Sequence, residues 1–362
     1  MFFLDFLQRV LSALPGAVSQ GVLWGVMTLG VYLTFRILNV ADMTVDGSFA
    51  AGGAITAILI VKGMNPYLTL LFVFIVGMLC GAVTGFMNTK LKIDILLASI
   101  LTQIALYSIN IRIMGKANTP MLGLDTMMTL CVMGVAKIGA LFKGVKDPDA
   151  FEDLYDTVSE FFTTTTSSLI IGLIVVAVVI IALYWFLGTE FGSAIRATGS
   201  NPNMVRALGV NTDTTKIIGL MLGNGLVALS GALVAQSQGY ADVGMGTGTI
   251  VVGLASIIIG EVVFGVRFGL WWTLLSVIFG SIIYRIVIAI VLEMGLKSTD
   301  LKLLTALVVA IALSVPVFKN KIDKRRKAYK GPNNEEDTSH DNSDLKKSVE
   351  TISDSVAADA QE

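Results

Sequence analysis

The chain has 362 residues, of which 54% are hydrophobic and 15% are charged, and its mean hydropathy is +0.77. Soluble globular chains carry roughly 25% charged residues, so this composition indicates a surface that faces the lipid bilayer. The net charge of −1 provides no basic field of the kind that attracts nucleic acid, and we expect no nucleic-acid partner.

Residues for common catalytic and metal sites are scarce. The single histidine, His340, lies in a polar C-terminal segment, so the apolar body has no imidazole for a catalytic triad or a His-liganded metal. Cys80 and Cys131 lie in apolar runs without metal-binding spacing. The Gly115-Lys116 pair lacks the upstream glycine and the following Ser or Thr of a phosphate-binding loop. We predict a protein that is not an enzyme, with no catalytic residue, metal or cofactor of its own.

The hydropathy pattern predicts an all-α polytopic membrane protein. A transmembrane helix needs about 20 mostly apolar residues, because the hydrocarbon core is roughly 30 Å thick. An amphipathic segment, 1–15, precedes the bundle and shows no signal-peptide cleavage site. The bundle then occupies 16–320, with about nine spans in a range of eight to ten. The predicted spans are 16–38, 49–62, 66–88, 94–112, 168–188, 216–236, 248–265, 268–292 and 302–318.

Two apolar stretches leave alternatives open. The span 49–62 is short and contains Gly52 and Gly53, which indicates a broken or re-entrant helix. The stretch 121–142 carries two charged residues, which favours a partly inserted or surface helix, with a full span as the alternative.

The positions of lysine and arginine predict the topology. With nine spans, the basic clusters all fall on one side, which is the cytoplasm by the positive-inside rule. The N-terminus and the acidic loop 113–167 are then extracellular, and the C-terminus is cytoplasmic, in a multi-pass protein of the cell membrane. The polar segment 321–362 is expected to be a disordered tail with a lipid-facing basic start. The clusters are Lys90 with Lys92, Arg196 with Arg206, Arg267, and the run Lys319–Lys330.

The cytoplasmic loop 189–216 contains the signals of a short helix. Asn201 is a good N-cap, Pro202 suits the first helical position, and Gly209 suits the left-handed residue after the end. A helix of about seven residues is not stable alone. The loop therefore either folds back on its own bundle or docks a partner protein through its apolar face. That face would combine Met204, Ala207 and Leu208, with Arg206 beside it.

The segment AIRATGSNPNMVRALGVNT resembles the coupling-loop signature of the permeases that serve branched-chain amino acid and ribose ABC importers. Ala197, Gly199, Asn201 and Gly209 match it, whereas Ala207 lies one or two places later than the usual alanine.

Two further segments resemble the same family. In ADMTVDGSFAAGGAITA, Asp42, Val45 and Ser48 correspond to the family pattern, Thr44 replaces a serine, and Asp46 is additional. GAVTGFMNTKLKIDILLASILTQIAL resembles the following helix pair, and the similarity covers about 20–320. The two aspartates look most like the tryptophan/tyrosine-type subgroup.

The resemblance implies a type II ABC-importer-like bundle that forms a homodimer. An extracellular substrate-binding protein would deliver a small solute, and a cytoplasmic ABC ATPase would hydrolyse the ATP. An amino acid is the implied cargo, with an aromatic one preferred and branched-chain amino acids or sugars as alternatives. The residues implied for coupling to the ATPase are Gly199, Asn201, Pro202, Met204, Arg206, Ala207, Leu208 and Gly209.

Polar residues inside the membrane are costly and are candidates for the translocation pathway. Asp42, Asp46, Ser48 and Arg285 are such candidates, and they also motivate the alternative of an ion-coupled secondary transporter. The structural alternatives are that the aspartates cap a helix and that Arg285 pairs with Glu293. A pair of Glu261 with Arg267 is also expected, and hydrogen bonds between helices are expected for Gln103, Asn110, Asn224 and Gln236.

Overall fold

The computed structural model is built almost entirely of helices. It describes residues 2–143, 157–158, 164–265 and 269–294, together with 303, 306, 307, 309, 310 and 314. The helices are α1 (Phe2–Val31), α2 (Thr44–Val61), α3 (Pro66–Thr89), α4 (Ile95–Met114), α5 (Met127–Lys143), α6 (Thr164–Gly188), α7 (Glu190–Ser200), α8 (Pro202–Ala207), α9 (Thr212–Gln238), α10 (Thr249–Phe264) and α11 (Leu270–Glu293). A π-helical turn, Tyr32–Ile37, extends α1, and two short strands complete the fold, β1 (Asn118–Pro120) and β2 (Tyr240–Asp242).

Within the described residues, seven helices are long and apolar enough to cross a membrane. The predicted polytopic all-α architecture is thereby confirmed. These spans are Phe6–Ile37, Thr44–Val61, Pro66–Thr89, Ile95–Met114, Thr165–Gly188, Thr212–Gln238 and Leu270–Glu293.

Two other predictions differ from the structure, and a third falls mostly outside the described residues. The predicted span 248–265 is the 16-residue helix α10, which is shorter than a full crossing. The expectation of a broken or re-entrant helix at 49–62 is wrong, because α2 runs unbroken for 18 residues from Thr44. Its first turn is polar and buried, and for that reason hydropathy alone did not include it in the helix. The predicted span 302–318 and the tail 321–362 lie almost entirely outside the described residues.

The structure also shows the N-terminal segment and the stretch 121–142 as helical. The amphipathic segment 1–15 continues without a break into α1, which contains Pro15. The stretch 121–142 holds the apolar helix α5, which does not reach the length of a full span.

Local sequence determines where several helices begin. Asn65 precedes α3 and accepts a hydrogen bond from the backbone N–H of Tyr67 at 2.9 Å. Asp94 does the same for α4, and Asn211 accepts from two backbone N–H groups at the start of α9. These side chains satisfy donors that have no partner within their own helix.

Helix α9 lies at the centre of the bundle, and small residues let its neighbours approach it closely. A Cβ atom at Gly52 of α2 would overlap the carbonyl oxygen of Ala228, and one at Gly81 of α3 would overlap that of Leu220. Gly231 of α9 packs in the same way against the backbone of Phe49. Packing of this kind is a main source of helix association in lipid, where the hydrophobic effect between helices is absent. A Cβ atom at Gly77, Gly85, Gly219 or Gly223 would likewise meet atoms of a neighbouring segment.

The two ends of α9 define two sides of the bundle. Its first residue follows α7 and α8, and its last residue precedes β2; we call these ends the α7–α8 side and the sheet side. The strands pair antiparallel, with Asn118 opposite Asp242 and Thr119 opposite Ala241. Thr119 and Ala241 are buried, and Ala241 packs against Ala54 of α2. The other face of the sheet is accessible.

Helix α10 begins inside the bundle. The chain leaves the sheet side at Asp242, and by Gly248 it has reached the first turn of α2. From there α10 runs towards the α7–α8 side, where α11 begins with Trp271 against Tyr184 of α6 at a ring distance of 5.8 Å. The segment 243–248 therefore enters the bundle from the sheet side without crossing it.

The close contact of α2 with α9 predicts a specific effect of a single methyl group. We expect Gly52→Ala to destabilise the fold by about 1–3 kcal/mol, because the added Cβ atom forces two backbones apart. Gly134→Ala in α5 is the matched control, since no atom lies within 4 Å of its Cβ position. Thermal unfolding of the full chain in detergent measures both variants, and equal melting temperatures would contradict this packing.

Candidate functional site

Helices α7 and α8 form the helical pair predicted from the cytoplasmic loop. Asn201 ends α7 and caps α8, where its Oδ1 accepts a hydrogen bond from the backbone N–H of Met204 at 3.1 Å. Pro202 occupies the first position of α8. Gly209 follows with a φ of +85°, a left-handed conformation that favours glycine. These local sequence signals therefore correctly predict helix α8.

The pair is anchored to the bundle by α7. Ile195 is fully buried in a cluster with Leu38 and Leu220, and the Thr198 hydroxyl lies 3.0 Å from that of Thr215 in α9. Gly199 packs directly on the backbone of Ile37, where a Cβ atom would overlap the carbonyl oxygen. A displacement of α7 therefore presses on the π-helical end of α1.

The outer face of α8 is apolar and exposed. Met204 is 49% exposed and Leu208 is 72% exposed, and Ala207 lies beside them, also exposed. Val205 on the opposite face is buried. Within the described part of the chain, nothing covers the face formed by Met204, Ala207 and Leu208.

Arg206 fixes the orientation of α8. Its Nε donates a hydrogen bond to the Thr212 hydroxyl at 2.7 Å, and its Nη2 lies 3.5 Å from the Asp213 carboxylate. Both partners belong to the first turn of α9. Arg206 therefore links α8 to the start of the central helix while the apolar face stays exposed.

A buried polar network lies a few residues beyond the contact with α7. The Asp42 carboxylate, 1% exposed, accepts hydrogen bonds from the backbone N–H of Thr44 at 2.9 Å and from the Asn224 amide at 2.6 Å. The Ser48 hydroxyl donates to the Asn224 carbonyl oxygen at 2.6 Å. Asn224 lies twelve residues after Thr212, about 18 Å along α9 at 1.5 Å per residue. The network therefore lies deep within the bundle.

The same network reaches α3 and α4 through threonines. The Thr44 hydroxyl lies 2.7 Å from that of Thr84, which in turn donates to the Thr102 hydroxyl at 3.0 Å. Satisfied hydrogen bonds of this kind keep buried polar groups from destabilising the fold. The first turn of α2 is thereby tied to three neighbouring helices.

Asp46, one turn further along α2, holds the start of α10. Its carboxylate accepts hydrogen bonds from the backbone N–H groups of Gly248 at 2.9 Å and Ile250 at 3.0 Å, and from the Thr249 hydroxyl at 2.8 Å. Gln103 of α4 lies 3.5 Å away. A negative charge at a helix N-terminus is favourable because of the helix dipole. Asp46 therefore caps a helix, and that helix is α10, which is distant in sequence.

Arg285 lies against Trp24 of α1. Its guanidinium carbon is 3.8 Å from the centre of the indole ring, a cation–π contact. Among the described residues it forms no ion pair, and its Nε has no hydrogen-bond partner. The predicted pair of Arg285 with Glu293 is therefore not formed. The aromatic ring of Trp24 supplies the contact that the sequence assigned to a carboxylate.

Glu261 also has a different partner from the predicted one. Its two carboxylate oxygens accept hydrogen bonds from Arg36 at 2.9 and 3.1 Å. The predicted partner, Arg267, lies outside the described residues. The real pair joins the π-helical end of α1 to α10, a contact between distant segments that sequence spacing does not indicate.

Hydrogen bonds between helices form for the four predicted amide side chains. Besides Asn224 and Gln103, the Asn110 amide donates to the Gly47 carbonyl at 3.3 Å, and Gln236 accepts from the backbone N–H of Met127 at 2.9 Å. Four residues of these contacts are not among the candidates that the sequence indicates: Thr84, Thr102, Arg36 and Trp24. Only the cost of polar groups inside the membrane marks the first three.

Comparisons with known proteins match nearly the whole chain. Residues 14–314 match the family model described as the permease component of branched-chain amino acid transport systems. The chain is 37% identical over 304 residues to a tyrosine transport system permease protein of Clostridioides difficile (strain R20291), which covers 84% of this chain and 91% of the relative. It is 30% identical over 307 residues to an uncharacterized protein of Rickettsia prowazekii (strain Madrid E), covering 84% and 98%.

A more distant relative carries a similar description. The chain is 25% identical over 258 residues to the probable branched-chain amino acid transport permease protein LivH of Methanocaldococcus jannaschii, covering 70% of this chain and 74% of the relative. No solved structure matches the chain.

The network around Asp42 predicts a large effect of one amide. We expect Asn224→Ala to destabilise the fold by roughly 2–4 kcal/mol, because it leaves a buried carboxylate with one donor fewer and removes the acceptor of Ser48. Asn203→Ala, at an exposed position of α8, is the matched control and should leave the melting temperature unchanged. Adding Asp42→Asn to Asn224→Ala should recover part of the loss, because it removes the unpaired charge. If the double variant melts below Asn224→Ala, the carboxylate is not the source of the effect.

Proposed function

This chain belongs to the permease family of branched-chain amino acid transport systems, and from that premise we propose that it is the membrane subunit of an ATP-driven amino acid importer. Two copies of the chain would form the pore, a cytoplasmic ABC ATPase would bind the α7–α8 side, and an extracellular binding protein would deliver the cargo to the sheet side. The exposed apolar face of α8 carries the proposal, because a capped, rigidly anchored helix with such a face fits a docking element for another protein.

The basic loops support this orientation. Lys90 and Lys92 follow α3, whose last turns pack on the start of α9, so they lie on the same side as Arg196 and Arg206. Lysine and arginine concentrate on the cytoplasmic side of membrane proteins. The α7–α8 side would then face the cytoplasm of a multi-pass protein in the cell membrane, with the C-terminus on that side.

The contacts of α7 suggest how ATPase movement reaches the membrane interior. Gly199 presses on Ile37, and the chain from Ile37 leads within five residues to Asp42 and the first turn of α2. Packed backbones without intervening flexible side chains transmit a displacement with little loss. A rigid-body shift of α7 and α8 would therefore move the N-terminal turn of α2, and with it the Asp46 contact that holds α10.

The relatives support an amino acid as the cargo. The relative from Clostridioides difficile is a tyrosine transport permease, and the family model is that of amino acid systems. We propose an amino acid as the substrate class, with aromatic amino acids preferred over branched-chain amino acids and sugars.

Leu208 provides a direct test of whether the ATPase docks on α8. We expect Leu208→Asp to abolish co-purification of the system's ABC ATPase and ATP-dependent uptake in proteoliposomes, because it places a charge in the apolar contact. Leu122→Asp is the matched control: it makes the same change at a residue that is 84% exposed on the sheet side, and the ATPase should remain bound.

Two results would contradict the proposal. One is ATPase association and uptake by Leu208→Asp at the level of the Leu122→Asp control. The other is uptake driven by a proton or sodium gradient in liposomes that contain this chain alone, which would favour a secondary transporter.

A further inference from the structure

A cavity of about 500 Å³ lies beside the two-stranded sheet, between α1, α2 and α9. Its volume falls in the usual range of small-molecule sites. Its apolar part includes Trp24 and Phe49, whose ring centres are 4.9 Å apart. Its polar part includes Asn118, Gln238 and Asp242. The cavity therefore combines an aromatic wall with a few polar groups, as binding sites for amphipathic small molecules do.

Two polar groups of the cavity are neighbours across the sheet. Asn118 and Asp242 stand directly opposite each other in the antiparallel register. Side chains at such a pair lie on the same face, with Cβ atoms about 4.5–5.5 Å apart. An amide, which donates hydrogen bonds, and a carboxylate, which accepts them, are thus held side by side.

The Asp242 carboxylate keeps one oxygen available. Its Oδ1 accepts a hydrogen bond from the backbone N–H of Gly244 at 2.6 Å, which fixes the side chain in the turn after β2. Among the described residues, Oδ2 makes no hydrogen bond, and neither do the side-chain amides of Asn118 and Gln238. These groups line the cavity and are therefore available to form hydrogen bonds with a ligand.

Asp242 is the only charged side chain among the described residues that line the cavity. The Arg285 guanidinium is not part of the lining, but it lies on Trp24, 3.8 Å from the ring centre. The indole N–H of Trp24 has no hydrogen-bond partner among the described residues. A net-neutral ligand with separated charges fits this environment better than an anion, which Asp242 would repel.

From this arrangement we propose that the cavity is a recognition site for a free α-amino acid with an aromatic side chain. An α-amino acid carries its ammonium and carboxylate on one carbon, so its partners must be adjacent, as Asp242 and Asn118 are. The ammonium binds Asp242 Oδ2, the carboxylate accepts from the Asn118 and Gln238 amides, and the aromatic ring packs on Trp24 and Phe49. This site deepens the proposed function, on which its role in transport rests.

A second, smaller cavity adjoins this one deeper in the bundle. Gly244 lines both cavities, and the smaller one, of about 120 Å³, contains Asp46 and Asn110. The segment 243–248 separates the two and ends at the hydrogen bonds between Asp46 and the start of α10. A ligand in the larger cavity therefore contacts the segment that leads from the sheet to the start of α10 at Asp46.

The test uses the full chain, purified alone in lipid nanodiscs, with L-tyrosine as the probe and saturation-transfer NMR as the readout. We expect Trp24→Ala to weaken L-tyrosine binding roughly tenfold or more through the lost ring contact. Trp185→Ala is the matched control, since Trp185 is 73% exposed on α6 and remote from the cavity wall. L-leucine should bind more weakly than L-tyrosine, and ribose should not compete.

Asp242→Asn separates charge from structure, because asparagine keeps the oxygen that accepts from Gly244. We expect roughly tenfold weaker L-tyrosine binding. Binding of 3-(4-hydroxyphenyl)propionate, which lacks the ammonium group, should not weaken. Asp125→Asn, at an exposed residue before α5, is the matched control and should bind as the unmodified chain does.

The site is refuted if the chain alone does not bind L-tyrosine, if Trp24→Ala and Asp242→Asn bind like their controls, or if ribose competes equally well. ATPase co-purification, measured on the same variants, distinguishes the amino acid site from the proposed docking of the ATPase on α8. Loss of tyrosine binding with the ATPase still bound refutes neither the docking of α8 nor the importer. If Leu208→Asp fails to release the ATPase, the docking proposal is contradicted but the amino acid site is not.

Discussion

The hydrogen bonds that Asp46 accepts from the start of α10 are the contact on which the interior architecture depends. A helix that begins inside a membrane bundle exposes several backbone N–H groups where water is scarce, and each costs free energy unless it finds a partner. Asp46 accepts from Gly248 and Ile250 and thus satisfies two of these groups while adding a favourable charge. Without Asp46, these hydrogen bonds between the end of the segment 243–248 and the first turn of α2 would be lost.

The start of α2 is also the meeting point of several other contacts. Asp42 and Ser48 bind Asn224 of the central helix, Thr44 reaches Thr84, and the chain before Asp42 comes directly from the π-helical turn pressed by α7. A network in which each polar group has its partners is rigid, and it moves as a unit. The exposed face of α8, which we propose as a docking face, the polar interior and the cavity beside the sheet are thus linked through one short, well-packed region.

Close backbone packing makes this linkage possible. Where Gly52 and Gly81 meet α9, and where Gly199 meets Ile37, no side chain lies between the two backbones. Because the two backbones touch directly, a small displacement of one moves the other and is not absorbed by rotamer changes. Glycine is required at these positions because even a methyl group would collide with a carbonyl oxygen.

The sequence alone determined the features that arise from local chemistry and from the solvent. Hydropathy predicted the long helices because lipid demands apolar spans, and Asn201, Pro202 and Gly209 predicted α8 because caps and turns act over a few residues. Only the tertiary structure decided which distant groups meet: that Asp46 holds α10, that Glu261 pairs with Arg36, and that Arg285 lies on Trp24. These partners lie far apart along the chain, and no periodicity encodes them, because they depend on how the helices pack in three dimensions.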